Sequence, residues 1–234
     1  MNIAALEACS LLDYPGKLCA VFFCQGCNYD CFYCHNRSLL GHYAGNIGYQ
    51  EVESFLLARK GFLQAVVVSG GEPTLQRDLG LFVGFVKDLG FAVKLDTNGS
   101  RPDVVAQLLD SDLLSYVALD VKAPCSRYDE IVGSSVDALA VKQSVALLKE
   151  YQKNHPNFLY EVRTTLAPTL AIEDLHCMVQ EHPPVQRWYL QEYRIPKQYK
   201  SVDEKRINLP CMTHGEVEQQ LAQLKRYQPN LVIR

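Results

Sequence analysis

Short apolar runs alternate along this chain with polar or glycine-rich stretches. The first run covers 18–23, Leu-Cys-Ala-Val-Phe-Phe, and reads as a strand buried on both faces, as in a parallel sheet. A turn precedes it: in Asp13-Tyr14-Pro15-Gly16, Pro fixes φ and Gly permits positive φ. Further strands are predicted over 65–68, 92–95, 116–119, 160–165 and 188–193, each followed by polar or glycine-rich residues. Helical spacing fills the gaps. Val52, Phe55 and Leu56 predict a helix over 51–58. Leu79, Phe82, Val83 and Val86 predict one over 78–89, with Gly90 placed to end it. Ser100 is expected to cap a helix over 102–109. Others are expected over 137–151, 172–179 and 215–227.

Strands alternating with helices imply parallel βαβ units. Six of them, each strand ending in polar residues, predict a (β/α) barrel or partial barrel with its active face at the C-terminal strand edge. A doubly wound open sheet is the alternative that periodicity leaves open. No internal repeat or linker interrupts the pattern, so a single α/β domain is expected over 1–234.

Composition narrows the function. The formal charge of -3 offers no basic field for nucleic acid. The apolar runs are too short to span a bilayer. The first residues, carrying Glu7 and Asp13, lack a basic region followed by an apolar run, so no signal peptide is expected. Nine cysteines in 234 residues is an odd number at a density below that of a secreted disulfide scaffold. A soluble protein of a reducing compartment, the cytoplasm, is expected.

The densest chemistry lies in Gly26-Cys27-Asn28-Tyr29-Asp30-Cys31-Phe32-Tyr33-Cys34-His35-Asn36. Three thiolates spaced C-x3-C-x2-C can curl around one centre, and thiolates select iron–sulfur clusters, zinc or Cu(I). A [4Fe-4S] cluster normally takes four Cys, so three leave one iron open. Structural zinc wants four closed ligands, and no second Cys or His pair follows. Cys24, at the end of the predicted strand, reads as a small buried hydrophobe, and His35 as a loop residue near the site. Tyr33 either stacks on a planar group or fills core.

Other candidates sit at strand ends. Ser69-Gly70-Gly71-Glu72-Pro73 is either a tight turn or a place where a ligand approaches backbone, with Glu72 for a cationic group. Asp96 and Asp120 are either helix caps or, with Thr97, holders of a cation or hydroxyl. Lys122, two residues after Asp120, points the same way on an extended chain, as a surface lysine or a partner for a ligand carboxylate.

Together these residues resemble the radical S-adenosylmethionine enzymes: C-x3-C-x2-C with an aromatic before the last Cys, then Gly-Gly-Glu-Pro, in the family's order and spacing. Phe22-Phe23-Cys24-Gln25-Gly26-Cys27, Tyr33-Cys34-His35-Asn36, Asp96-Thr97-Asn98-Gly99 and Asp120-Val121-Lys122 resemble the glycyl radical enzyme activases within it. Asp13-Tyr14-Pro15-Gly16-Lys17 looks most like the activating proteins of anaerobic ribonucleoside-triphosphate reductase. The likeness runs over most of 3–193 and is weaker beyond.

The resemblance implies a partial (β/α)6 TIM-like barrel, with its core at about 16–193 and a C-terminal extension over 194–234. It implies a [4Fe-4S] cluster on Cys27, Cys31 and Cys34, and S-adenosyl-L-methionine on the open iron. Tyr33 and nearby backbone would contact the adenine; Gly70, Gly71 and Glu72 would hold the methionine amino end; Lys122 would hold its carboxylate; Arg163 matches a basic position in the fifth strand. Asp96, Thr97, the Ala118 carbonyl and Asp120 match a monovalent-cation site. Gln191, Glu192 and Tyr193 stand where the pyruvate formate-lyase activase has a late His near the ligand, a departure on the last side of the pocket. The implied reaction is reductive cleavage of S-adenosylmethionine, followed by removal of a glycine Cα hydrogen on a partner glycyl radical enzyme. Anaerobic ribonucleotide reductase is the expected partner, and a flavodoxin or ferredoxin the electron donor. No catalytic side chain is required of the protein. A small-molecule radical enzyme resembling 7-carboxy-7-deazaguanine synthase, pyruvate formate-lyase activation and a zinc-binding interaction module are the alternatives.

Overall fold

A computed structural model describes residues 1–234. Eight strands form one sheet in chain order: β1 (Ile3–Ser10), β2 (Cys19–Cys24), β3 (Ala65–Gly70), β4 (Ala92–Thr97), β5 (Tyr116–Asp120), β6 (Leu159–Thr165), β7 (Trp188–Gln191) and β8 (Leu231–Ile233). β1 pairs antiparallel with β2, and every later neighbour is parallel. The unbroken order decides between the two topologies left open, because a doubly wound sheet reverses its order at a switch point. β1 and β8 are both edges, so the barrel is partial.

The helices connecting the strands are α1 (Tyr49–Arg59), α2 (Leu79–Asp88), α3 (Pro102–Asp110), α4 (Tyr128–Val132), α5 (Ala138–Asn154), α6 (Ile172–Glu181), α7 (Glu204–Ile207) and α8 (His214–Leu224). Gly90, at φ +94°, ends α2 as expected: its N–H bonds the Lys87 carbonyl at 2.8 Å, and the Phe91 N–H reaches back to Val86. Tyr14-Pro15-Gly16-Lys17 is a β-turn with Gly16 at φ +77° and the Lys17 N–H on the Tyr14 carbonyl. Ser100 does not cap α3, which starts on Pro102 without a side-chain cap. Its hydroxyl instead accepts from Asn28 in the cysteine loop, at 2.9 Å.

Strand alternation sorts side chains onto two faces. Ala20, Phe22, Cys24, Val66, Val68, Leu95, Val117, Leu119 and Val162 join the helices' apolar residues in the main core. Cys19, Val21, Ala65, Val67, Tyr116 and Tyr14 form a small second cluster inside the barrel. The intervening positions of β4 to β6, on the inner side, carry Lys94, Asp96, Asp120, Glu161 and Arg163.

Two differences from the expected layout concern the edges. β1 adds an antiparallel strand ahead of the barrel, and the extension over 194–234 returns to it as β8, giving seven parallel strands rather than six. β1 is alanine-rich and half exposed, and β8 is three residues long. Neither carries a pattern of its own, and pairing with a neighbour makes them strands.

Candidate active site

The cysteine loop leaves β2 at Cys24 and is tied down at both ends. Gly26 and Cys27 donate backbone N–H bonds to Leu39 and Leu40, and the Asp30 N–H donates to Val132. Cys27, Cys31 and Cys34 carry no disulfide and line one cavity at the C-terminal strand ends. The cavity measures about 240 Å³, far more than a lone ion fills. Burial pushes the Cys27 thiol up to about 12 and the Cys31 thiol up to about 11, so three thiolates here call for a bound cation. The Tyr29 N–H donates to Cys27 Sγ at 3.4 Å, the kind of bond that tunes a sulfur-held cluster. These donors fit the expected cluster. Cys24 is fully buried in the main core, as a small hydrophobe.

Gly70 and Gly71 border the cavity, and their reason is internal. A Cβ at Gly70 would strike the Cys24 backbone, and one at Gly71 the Gly26 carbonyl. The backbone that approaches closely is therefore the cysteine loop itself, held by Gly71 N–H to Cys24 O at 2.9 Å and Glu72 N–H to Gly26 O at 2.8 Å. Glu72 is wholly buried. Its Oε1 accepts from the Thr74 N–H and hydroxyl and from the Thr97 hydroxyl; its Oε2 accepts only from the Asn98 N–H, at 2.7 Å. Burial outweighs these donors and raises the carboxyl above its usual range. Oε2 retains acceptor capacity for a ligand cation.

Opposite lies a network of charges. The register sets Asp120 beside Arg163, and Arg163 Nε donates to Asp120 Oδ1 at 2.9 Å while Nη1 lies 3.5 Å from Asp96 Oδ2. Lys94 Nζ holds Asp96 at 2.6 Å, and Lys122 Nζ holds Asp120 at 3.2 Å. Burial alone would raise both carboxyls; Arg163 and Lys94 on Asp96, and Arg163 and Lys122 on Asp120, outweigh it, leaving Asp120 at about 2. Lys122 stays an ammonium because Asp120 outweighs its burial. Asp96, Thr97, Ala118 and Asp120 do come together on neighbouring strands, with Asp96 registered to Ala118. Arg163 bridges the two aspartates, however, and the Thr97 hydroxyl is given to Glu72. Arg163 and Lys94 thus lie among the residues where the resemblance puts a monovalent ion.

Tyr33 and Thr165 border the cavity, whereas Gln191, Glu192 and Tyr193 do not; Tyr193 donates its hydroxyl to the Ile207 carbonyl. The tail reaches the cysteine loop from outside: Lys200 pairs with Asp30, and the Arg206 guanidinium stacks 4.0 Å from the Phe32 ring centroid. The sequence gives Ser69, Asn98 and Tyr29 a place inside the motifs but no role of their own, and Lys94 neither. For Lys94 a signal existed, a lysine two residues from Asp96 inside an apolar run, where period 2 puts both on one face.

Comparison with known proteins agrees with this geometry. Residues 21–182 match the Radical SAM superfamily. A Methanocaldococcus jannaschii protein described as a "putative glycyl-radical enzyme activating enzyme" is 32% identical, over 99% of this chain and 95% of its own. The pyruvate formate-lyase 1-activating enzyme of Escherichia coli is 34% identical over 52% of each chain. The structure of Streptococcus suis SuiB bound to S-adenosylmethionine superposes with a TM-score of 0.64 at 15% identity, covering 90% of this chain and 48% of that one. With its motif residues gathered at the C-terminal rim of a partial barrel, the chain belongs to the radical SAM superfamily, in the family of the glycyl-radical enzyme activating enzymes.

Proposed function

We propose that this protein activates a glycyl radical enzyme, anaerobic ribonucleotide reductase being the preferred partner, with a flavodoxin or ferredoxin as electron donor in the cytoplasm. One observation carries the reading: three unpaired cysteines of a single loop share a cavity with Glu72 and Lys122, which suit the two ends of an amino acid. Cys27, Cys31 and Cys34 would hold the [4Fe-4S] cluster. When bound, the reduced cluster would supply the one electron that cleaves S-adenosylmethionine into methionine and a 5′-deoxyadenosyl radical able to take a glycine Cα hydrogen.

The chain's own part is positioning. Glu72 Oε2 and the Gly70–Gly71 backbone suit the ligand's ammonium, Lys122 its carboxylate and Tyr33 its adenine. Arg163 keeps Asp120, and through it Lys122, in place. The resemblance to activases over 3–193, and the full-length relative, favour a glycine on a protein as substrate. The test is electron paramagnetic resonance of the anaerobically reconstituted, dithionite-reduced protein. A [4Fe-4S]+ signal that changes on adding S-adenosylmethionine is expected, followed by a glycyl signal on the incubated reductase. A cluster signal indifferent to S-adenosylmethionine, or one zinc and no iron, would overturn the reading.

A further inference from the structure

Two buried hydroxyls at the cavity have no hydrogen-bond partner, those of Tyr29 and Tyr33. Such groups are rare in folded proteins, and an acceptor supplied by a ligand removes their cost. Tyr29 lies on the Lys122 side: its ring meets that of Tyr128, whose hydroxyl accepts from the Lys122 N–H at 3.3 Å, and it borders the same cavity as Lys122 and Glu72. Its side chain is held in place by an edge-on contact with Tyr128, ring centroids 6.2 Å apart. Tyr29 is 3% exposed, so water does not satisfy the hydroxyl from outside.

We infer that the Tyr29 hydroxyl is a second donor, beside the Lys122 ammonium, to the carboxylate of the bound amino-acid moiety. The inference rests on the proposed function, which puts that moiety between Lys122 and Glu72. A phenolic O–H needs an acceptor for its proton, and a carboxylate offers two oxygens with about four acceptor sites. Lys122 gives one of its three protons to Asp120 and cannot by its geometry fill all of those sites. Glu72 takes no bond from Tyr29, and the acceptor capacity left on its Oε2 goes to the ligand's ammonium in the proposed function. The ligand carboxylate is the acceptor this arrangement leaves for the phenol.

The test compares S-adenosylmethionine with its decarboxylated form, which keeps the amine and the sulfonium, by calorimetry on anaerobically reconstituted protein. In Tyr29→Phe the ring stays against Tyr128, and iron content and melting temperature serve as controls for folding. Binding of S-adenosylmethionine should weaken about tenfold or more, while the decarboxylated form changes by less than about twofold. Equal weakening of both ligands, or no change in either, overturns the inference while the proposed function stands. A wild-type protein that binds neither ligand overturns the proposed function, and the inference with it.

Discussion

Gly71 has no room for a side chain, because the carbonyl of Gly26 fills the place its Cβ would take. This contact fastens the end of β3 to the cysteine loop. Both partners are backbone, so neither can swing away as a side-chain tip would. Gly71→Ala should therefore push the two segments apart and strain the bonds from Gly71 to Cys24 and from Glu72 to Gly26. The expected loss is about 1–3 kcal/mol of stability, the usual cost of overpacking. Urea denaturation checks the stability, and iron uptake on reconstitution should fall in parallel. An unchanged midpoint would show that the segments separate freely.

The nearby cysteines divide into two kinds by the direction in which they face. Cys27, Cys31 and Cys34 border the cavity, and Cys24 packs into the core behind it. Alanine at any of the first three should abolish reconstitution of iron and sulfide. Cys24→Ala should keep the cluster and lose on the order of 1 kcal/mol for the small hole it leaves. Iron and sulfide analysis with a thermal melt separates the two effects. Cluster loss in Cys24→Ala alone would make Cys24 a ligand.

Much of this arrangement is readable from residue order, and its gaps have physical causes. The strand–helix alternation and the spacing of Cys27, Cys31 and Cys34 are local patterns, and they survive folding unchanged. Gly70 and Gly71 announce a close approach, but which backbone approaches depends on the turn after β2, forty-odd residues earlier in the chain. Ser100 has the chemistry of a cap and is taken instead by Asn28, a long-range partner that no local pattern shows. Lys94 sits in an apolar run, and only the inner face of the barrel explains it.

Lys94, which is buried, and Asp96, which is partly buried at the cavity, form a pair whose members should depend on each other. Lys94 is 2% exposed and bonds Asp96 at 2.6 Å, with its ammonium 5.5 Å from the Tyr116 ring centroid. Lys94→Met leaves Asp96 with Arg163 as its remaining cation, at the longer distance of 3.5 Å. Breaking a buried pair by removing one member typically costs about 3–5 kcal/mol, whereas replacing both members is far milder. The double variant Lys94→Met with Asp96→Leu should thus recover part of the stability lost by Lys94→Met alone. A double-mutant cycle from denaturation midpoints measures the coupling, and strict additivity would show that the pair does not act as a unit.

His182, at the end of α6, gives the fold an acid-sensitive point outside the cavity that Cys27, Cys31 and Cys34 line. The ring is buried, its Nδ1 has no partner, and it meets the Trp188 ring edge-on at 5.6 Å. Burial, aided by Lys142 and opposed by Glu181, depresses the imidazole from 6.5 to about 4. The unfolded chain therefore takes up this proton first as pH falls, and the folded state resists it. The stability contribution is whole above pH 6.5 and is lost as pH drops from there through 4. Over that window the loss amounts to about 3 kcal/mol. In His182→Leu the imidazole is gone, so the stability of the variant should be flatter in this range than that of the wild type. Denaturant midpoints taken between pH 7 and pH 4.5 check this, each chain compared with itself so that any packing change drops out. Parallel curves for the two proteins would mean that His182 accepts its proton in the folded state as readily as in the unfolded one.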